Sequence, residues 1–272
     1  IENRANYENL RVSTIHDFLW DCISNFQNEL RDSIIELINT EQLPRMTNLA
    51  IPVDSGFFDK DGNIQPIKYK EYLRIKDGII SHDEVIVIAH YMFSKYPKLC
   101  QIVIGSYPFM LIDEYQDTNP LVVDILLNQF SKQKGRQYCI GFFGDSMQAI
   151  YDDGVGDLAK FIYPLGQVYE VKKEQNRRSP KAVIDLANNI RLDDLTQHPS
   201  EDITAPNMLD GQIKAGRVLF FYSQTNSVSI DNVRSYLIKN EGWNFDDIQG
   251  TKELNLTHNL ISEKAGFHTL MD

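Results

Sequence analysis

An α/β fold organised on parallel strands is the class this chain predicts, on three observations. Two short apolar runs, FMLI at residues 109–112 and YCIGFF at residues 138–143, each end abruptly in polar groups. Asp113 and Glu114 follow the first run; Gly144 and Asp145 follow the second. Buried parallel strands read as near-continuous apolar runs, and ligands in open α/β sheets sit beyond the carboxyl ends of such strands. Around these runs, apolar residues recur at helical spacing in several segments.

Taken in order, Ser13-Thr14 followed by Asp17 reads as a capping box that opens a helix. Ile15, Phe18, Leu19, Cys22, Ile23, Phe26 and Leu30 then give its apolar stripe. The plain explanation of Thr14 and Asp17 is capping. His16 falls off the stripe, free to face a partner, and both a nucleic-acid contact and an ordinary helix-start role are open to it. Residues 44–66 are rich in Pro, Gly, Asn and Asp and break the pattern. Asp59 to Asn63 has the outline of a calcium loop without its remaining acids or closing Glu, so a turn is expected. Helical segments are predicted over residues 69–74 and 81–96, the latter through Val85, Ile88, Ala89, Met92 and Phe93. Asn119-Pro120 opens another helix, with Leu121, Ile125, Leu126 and Phe130 inward.

Ser179 as N-cap and Pro180 as the first helical residue precede Val183, Ile184, Ala187 and Ile190. Arg177 and Arg178 therefore stand just before a helix N-terminus, a place suited to anions. Solvated charges at a cap are the alternative. Residues 192–215 carry Pro199, Pro206 and several acids without periodicity and predict a linker. Beyond it, RVLFFY at 217–222, a helix near 229–239 and a short strand at 253–256 predict a βαβ unit. There is no internal repeat and no low-complexity tract.

The 272 residues suffice for one large or two modest domains, and the composition (42% hydrophobic, 24% charged) is that of a globular chain. No apolar run reaches the roughly 18 residues a bilayer span requires, and no leader is read, so a cytoplasmic protein without a membrane partner is expected. Cys22, Cys100 and Cys139 lie far apart, so neither a zinc cluster nor a disulfide framework is suggested; Cys22 and Cys139 are expected as core thiols. A net charge of −11 does not advertise a nucleic-acid binder. Basic runs that could line a groove are few: residues 132–136, Lys172-Lys173 and Arg177-Arg178.

Paired acids at a strand end suit Mg²⁺-nucleotide chemistry, since one carboxylate can hold the metal while its neighbour handles the attacking water. An acidic turn capping a core strand is the other reading. The order of blocks discriminates between them. Asp113-Glu114-Tyr115-Gln116-Asp117-Thr118, then Gly144-Asp145 with Gln148, Ile150 and Tyr151, then Asn176-Arg177-Arg178-Ser179, resembles the UvrD/Rep group of superfamily 1 DNA helicases. Residues 13–18 (STIHDF) are similar to that group's T-x-H-x-F element. Leu256 to Asn259 with Ala265 to Phe267 resembles a segment of AddA-like relatives, and Ile1 to Arg4 the tail of the element after the phosphate loop.

The resemblance implies a RecA-like P-loop NTPase parallel sheet with an inserted helical subdomain and the start of a second RecA-like domain. Residues 1–23 and 100–193 would form part of the first domain, 24–99 the inserted subdomain, 194–215 the linker and 216–272 the start of the second. It implies ATP and Mg²⁺ as cofactors and single-stranded and duplex DNA as partners, with a nuclease or repair protein as a further candidate. Asp113 would bind the metal, Glu114 would orient or deprotonate water, Gln148 would sense the γ-phosphate and Arg178 would act on the developing charge. Gln116, Asp145, Asn176 and Arg177 would line the nucleotide site, with simple loop hydrogen bonding as the alternative for Gln116 and Asp145. Thr14, His16 and Tyr151 would face DNA, Tyr69 and Tyr72 adding strand contacts; for Tyr151, stacking on a base and core packing both stand.

Three departures qualify this. Asp152-Asp153-Gly154 replaces an aromatic and an arginine that help grip DNA, and acids repel phosphates. Arg177 stands where an aromatic normally stacks on adenine, a role a guanidinium plane can also fill. No G-x-x-x-x-G-K-[ST] loop and no C-terminal helicase motif occurs, which leads us to expect part of a longer helicase that would not hydrolyse ATP usefully alone. Alternatives remain: the motor portion of an AddA- or RecB-like helicase-nuclease, a phage-defence helicase, or a non-hydrolysing module that binds DNA or protein.

Overall fold

The computed structural model describes residues 10–43, 45, 53–60, 62–133, 135, 137–222 and 230–254. The chain divides into two compact units, Ile1–Lys173 with Arg191–Asp194, and Glu174–Ile190 with Leu195–Asp272.

In the first unit, Thr14 caps α1 (Ile15–Ile23) by accepting from the Asp17 backbone N–H at 3.1 Å. The expected stripe of α1 buries Leu19, Cys22 and Ile23, and α2 (Gln27–Asn39) continues it through Leu30, Ile34, Leu37 and Ile38. A 3₁₀ turn at Ser55–Phe58 sinks Phe58, and the turn expected over 59–63 is a hairpin of β1 (Asp59–Lys60) and β2 (Asn63–Ile64). Next, β3 (Lys68–Tyr69) pairs in parallel with β4 (Ile79–Ile80). The helix expected over 69–74 is therefore a strand end and loop: a short segment follows the distant partner at Ile79–Ile80 rather than its own weak period.

Helix α3 (His82–Lys95) is the hub, packed against α1, α2, α4 (Pro97–Ser106) and α5 (Pro120–Asp124). It opens on Ser81, whose N–H and hydroxyl both donate to the Glu84 carboxylate, at 3.1 and 2.6 Å. Glu84 is fully buried, and Arg45 supplies the compensating charge at 3.2 Å, as a buried carboxylate requires. After α5 the helix widens into a π turn at Ile125–Gln129 and tightens into a 3₁₀ turn at Phe130–Lys132. A single apolar cluster runs from Leu19 through Phe93 to Phe130. Apolar residues of the 24–99 stretch share this cluster with α1 and α5.

Strands β5 (Phe109–Ile112) and β6 (Cys139–Phe142) pair in parallel, Phe109 opposite Cys139 and Ile112 opposite Phe142. Only one face of this pair is covered. Met110 is buried, whereas Phe109 and Leu111 are 76% and 72% exposed. Cys139 is exposed too, against the expectation of a core thiol, because it shares the open face with Phe109. Every sheet among the described residues has two strands, and these residues have mixed helix and strand content. Beyond β6, α6 (Ala159–Ile162) closes a small cluster of Val123, Leu127, Leu158 and Phe161.

The second unit holds β7 (Gln175–Asn176), α7 (Lys181–Ile190), β8 (His198–Pro199), the hairpin of β9 (Met208–Leu209) and β10 (Gln212–Ile213), and α8 (Ile230–Glu241). The expected linker at 194–215 is structured instead: β8 pairs in parallel with β7, and buried Asn207 donates to the Asn176 and Ser179 carbonyls, both at 2.9 Å. Asn207 satisfies these backbone groups in place of periodic apolar residues, which a period-based reading cannot see. The two compact units divide after Lys173, with Arg191–Asp194 belonging to the first. Residues 217–222 form no strand; among the described residues they have no ladder partner, and Phe220 and Tyr222 stay exposed. The segments expected at 256–259, 265–267 and 1–4 lie outside the described residues.

Candidate functional site

The carboxyl ends of β5 and β6 meet on one rim, and Gln116 ties them together. Its side chain is 1% exposed; Oε1 accepts from the Asp145 backbone N–H at 3.1 Å and Nε2 donates to Glu114 Oε2 at 2.8 Å. The Tyr115 N–H donates to the Phe143 carbonyl at 3.1 Å, which continues the strand pairing into the loops. Gly144 passes so close that a Cβ there would stand 2.2 Å from Gln116 Oε1. Gly154 makes a similar approach, where a Cβ would fall 2.6 Å from the Gln116 carbonyl. The Asp152-Asp153-Gly154 segment is thus a turn wrapped on the strand-end loop, with Val155 and Gly156 donating to the Thr118 and Gln116 carbonyls.

Asp113 and Glu114 are exposed at this rim. Glu114 adopts the left-handed region (φ 50°), uncommon for a residue with a side chain and a form of strain that gathers at functional sites. Asp113 Oδ1 accepts from the Glu114 N–H at 3.1 Å. Gln148 lies on the 3₁₀ turn Ser146–Gln148, and its Nε2 donates to Asp145 Oδ2 at 3.0 Å. Asp113, Glu114, Gln116, Asp145 and Gln148 are therefore brought to one rim.

Sequence reasoning missed Arg191. Its guanidinium clasps Asp145 through two bonds of 2.7 and 2.9 Å and also holds Asp193, at 2.8 and 2.6 Å. The Arg191 side chain is only 9% exposed. These bonds from Arg191, with those from Gln148 and the Met147 N–H, hold the Asp145 carboxyl down at about 2, well below the usual carboxylate value near 3.8. A carboxyl depressed on folding stabilises the fold above its unfolded value, and that contribution fades as pH falls from about 4 to 2. A shift of this size corresponds to about 2 kcal/mol. Urea midpoints at pH 6 and pH 2.5 should therefore drop less in Asp145→Asn than in the unaltered protein; equal drops would show that the ion pair contributes nothing.

Of the DNA-facing candidates, His16, Tyr69 and Tyr72 gather near His82. Thr14 spends its hydroxyl on capping. His16 is half-buried with its ring edge-on to His82 at 5.0 Å, so it is less free than its sequence position implies; burial, then the neighbouring His82, lowers its pKa. Tyr69 bonds His82, and with Tyr72, Lys70, Glu71 and Asp17 these residues line an open depression of about 420 Å³. Tyr151 is 60% exposed, which removes the core-packing reading.

In the second unit, Asn176 shapes the loop before α7. Its Oδ1 accepts from the Arg178 and Ser179 N–H groups at 3.0 and 2.8 Å, and its Nδ2 donates to Gln197 at 2.7 Å. Arg177 pairs with Asp202 at 2.6 Å, and bonds from Thr204 and then Arg177 hold the Asp202 carboxyl at about 2. The exposed Arg178 guanidinium has no ion-pair partner among the described residues.

Residues 60–153 match the UvrD/REP helicase N-terminal domain family. The chain is 35% identical over 196 residues to Gabija protein GajB of Bacillus cereus strain HuB5-5, across 71% of this chain and 26% of that protein. It is 26% identical over 152 residues to the ATP-dependent DNA helicase PcrA of Bacillus subtilis strain 168, across 54% of this chain and 20% of that one. A probable DNA helicase II homolog of Rickettsia felis is 26% identical over 140 residues, 50% of this chain and 21% of that protein. The chain thus spans about a quarter or less of the length of these relatives. The family match covers both strand-end loops, and the relatives agree with it: together they support a UvrD/Rep-type helicase fragment.

Proposed function

We propose that the full-length protein is an ATP-driven DNA translocase and helicase, and that this chain supplies the nucleotide-facing rim of a RecA-like motor domain. The observation that carries the reading is the Gln116 tie, which joins the acids after one parallel strand to the Asp145-Gln148 turn after the next. Nucleotide sites in α/β sheets sit at such strand ends.

The residues fit Mg²⁺. Among the described residues no cluster of three or more His, Cys, Asp or Glu could cage a metal. Asp113 offers one exposed carboxylate, and Mg²⁺ commonly takes one or two carboxylates and completes its shell with phosphate oxygens and water. Bound there, Mg²⁺ would neutralise charge on the β- and γ-phosphate oxygens. Glu114, its carboxylate steadied by Gln116, would orient and accept a proton from the attacking water. Gln148 would read the γ-phosphate, and Arg178 would offset charge developing during phosphoryl transfer. Asn176 would hold the loop that presents Arg178, and Arg177 would flank the base. Tyr151 would stack on a base of single-stranded DNA, with Thr14, His16, Tyr69 and Tyr72 bordering the strand.

No helix among the described residues is long and apolar enough to cross a membrane. The higher identity to Gabija protein GajB than to PcrA favours a protein of the Gabija kind over one of the PcrA kind. The deciding measurement is ATP turnover by the full-length protein with and without single-stranded DNA. Stimulation of tenfold or so is expected from coupling of nucleotide and DNA sites at about 1.4 kcal/mol. Nucleotide or DNA binding without turnover would replace the motor with a binding module.

A further inference from the structure

We infer that Arg191 is a positioning residue for Gln148, acting through Asp145; the inference rests on the motor reading proposed above. Each Asp145 oxygen is shared. Oδ1 accepts from the Met147 N–H at 3.1 Å and from Arg191 Nη2 at 2.9 Å. Oδ2 accepts from Arg191 Nη1 at 2.7 Å and from Gln148 Nε2 at 3.0 Å. The arginine fork therefore fixes the plane of the carboxylate, and that plane sets where the Gln148 amide is held.

Gln148 needs this help. It is exposed on a three-residue turn, and a free glutamine side chain retains several rotamers. With one N–H given to Asp145, its Oε1 and second N–H stay available for a bound phosphate or water. Arg191 is itself held: it is nearly buried, and Asp193 takes bonds on its other edge. A planar fork gripped between two carboxylates has few alternative positions, and the single ammonium of lysine cannot reproduce it. Arg191 also lies outside every motif block, 46 residues from Asp145.

The test uses the full-length protein, ATP and single-stranded DNA, with Arg191→Met, Arg191→Lys, Gln148→Ala and the double variant Gln148→Ala/Arg191→Met. A residue acting through Gln148 should lower kcat about tenfold in Arg191→Met while KM for ATP stays within about threefold. Arg191→Lys should recover only part of the loss. The double variant should be no slower than Gln148→Ala alone, because the path is already cut. Unchanged kcat in Arg191→Met, or losses that multiply in the double variant, would overturn the inference while the motor reading stands. If Arg191→Met does not fold, the same cycle is run with Arg191→Lys and read the same way. Absence of turnover in the unaltered protein would overturn the motor reading, and this inference with it.

Discussion

Glu114→Gln in the full-length protein should cut DNA-stimulated ATP turnover by about a hundredfold or more while nucleotide affinity stays nearly unchanged, since positioned acid-base groups contribute about 10²–10⁴-fold. The substitution preserves shape and keeps a group beside Gln116 Nε2, so the rim should hold together. What is lost is the carboxylate that accepts a proton from water. The left-handed backbone of Glu114 points the same way, because a conformation that costs about 1 kcal/mol or more persists where the surroundings require it. Turnover by a coupled spectrophotometric assay and affinity by a fluorescent ATP analogue would separate the two effects. Undiminished turnover would remove Glu114 from the mechanism.

Gly144→Ala should be the most damaging single methyl group at this rim. Its Cβ would fall 2.2 Å from Gln116 Oε1, 2.9 Å from Tyr115 Cδ1 and 3.0 Å from the Tyr115 nitrogen. Gln116 is buried and Tyr115 is tied to Phe143, so neither can retreat without breaking a bond that joins the two strand ends. Overpacking together with a lost buried hydrogen bond costs about 3 kcal/mol, or a fall of about 10 °C in Tm. Turnover should fall with it, because Glu114 and Asp145 both depend on Gln116. Gly141→Ala is the control: its Cβ would meet Phe143 and Leu111, exposed side chains that can swing away. Similar Tm values for the two variants would refute the wedge argument.

The strand ends were legible in the sequence because an apolar run followed by paired acids has few structural meanings, and helices α1 and α3 followed their periods closely, whereas of the stripe expected for α7 only Ile184 is buried and Val183 and Ile190 are exposed. Other features depend on partners remote in the chain. FMLI reads the same whether one face is covered or two, so the exposure of Phe109 and Leu111 left no local mark. The pairing of Lys68–Tyr69 with Ile79–Ile80 overrode the weak helical pattern at 69–74. His16 meets His82 across 66 positions of chain, and nothing near either residue announces the contact. Arg191 is the clearest case: it sits just past the helix it follows, where an arginine usually means solvent, and only folding brings it to Asp145. Likewise, the strands and polar contacts of Asn207 organise 194–215 without any apolar repeat.

The uncovered side of the β5–β6 pair makes the protein easy to follow optically. Of its three thiols, Cys22 and Cys100 are buried, and burial pushes them to about 12 and about 11, where little reactive thiolate forms. Cys139 alone is open to solvent, directly opposite Phe109. Within these 272 residues a maleimide dye should therefore load at one position without mutagenesis, and its emission would register whatever comes to rest on that apolar surface.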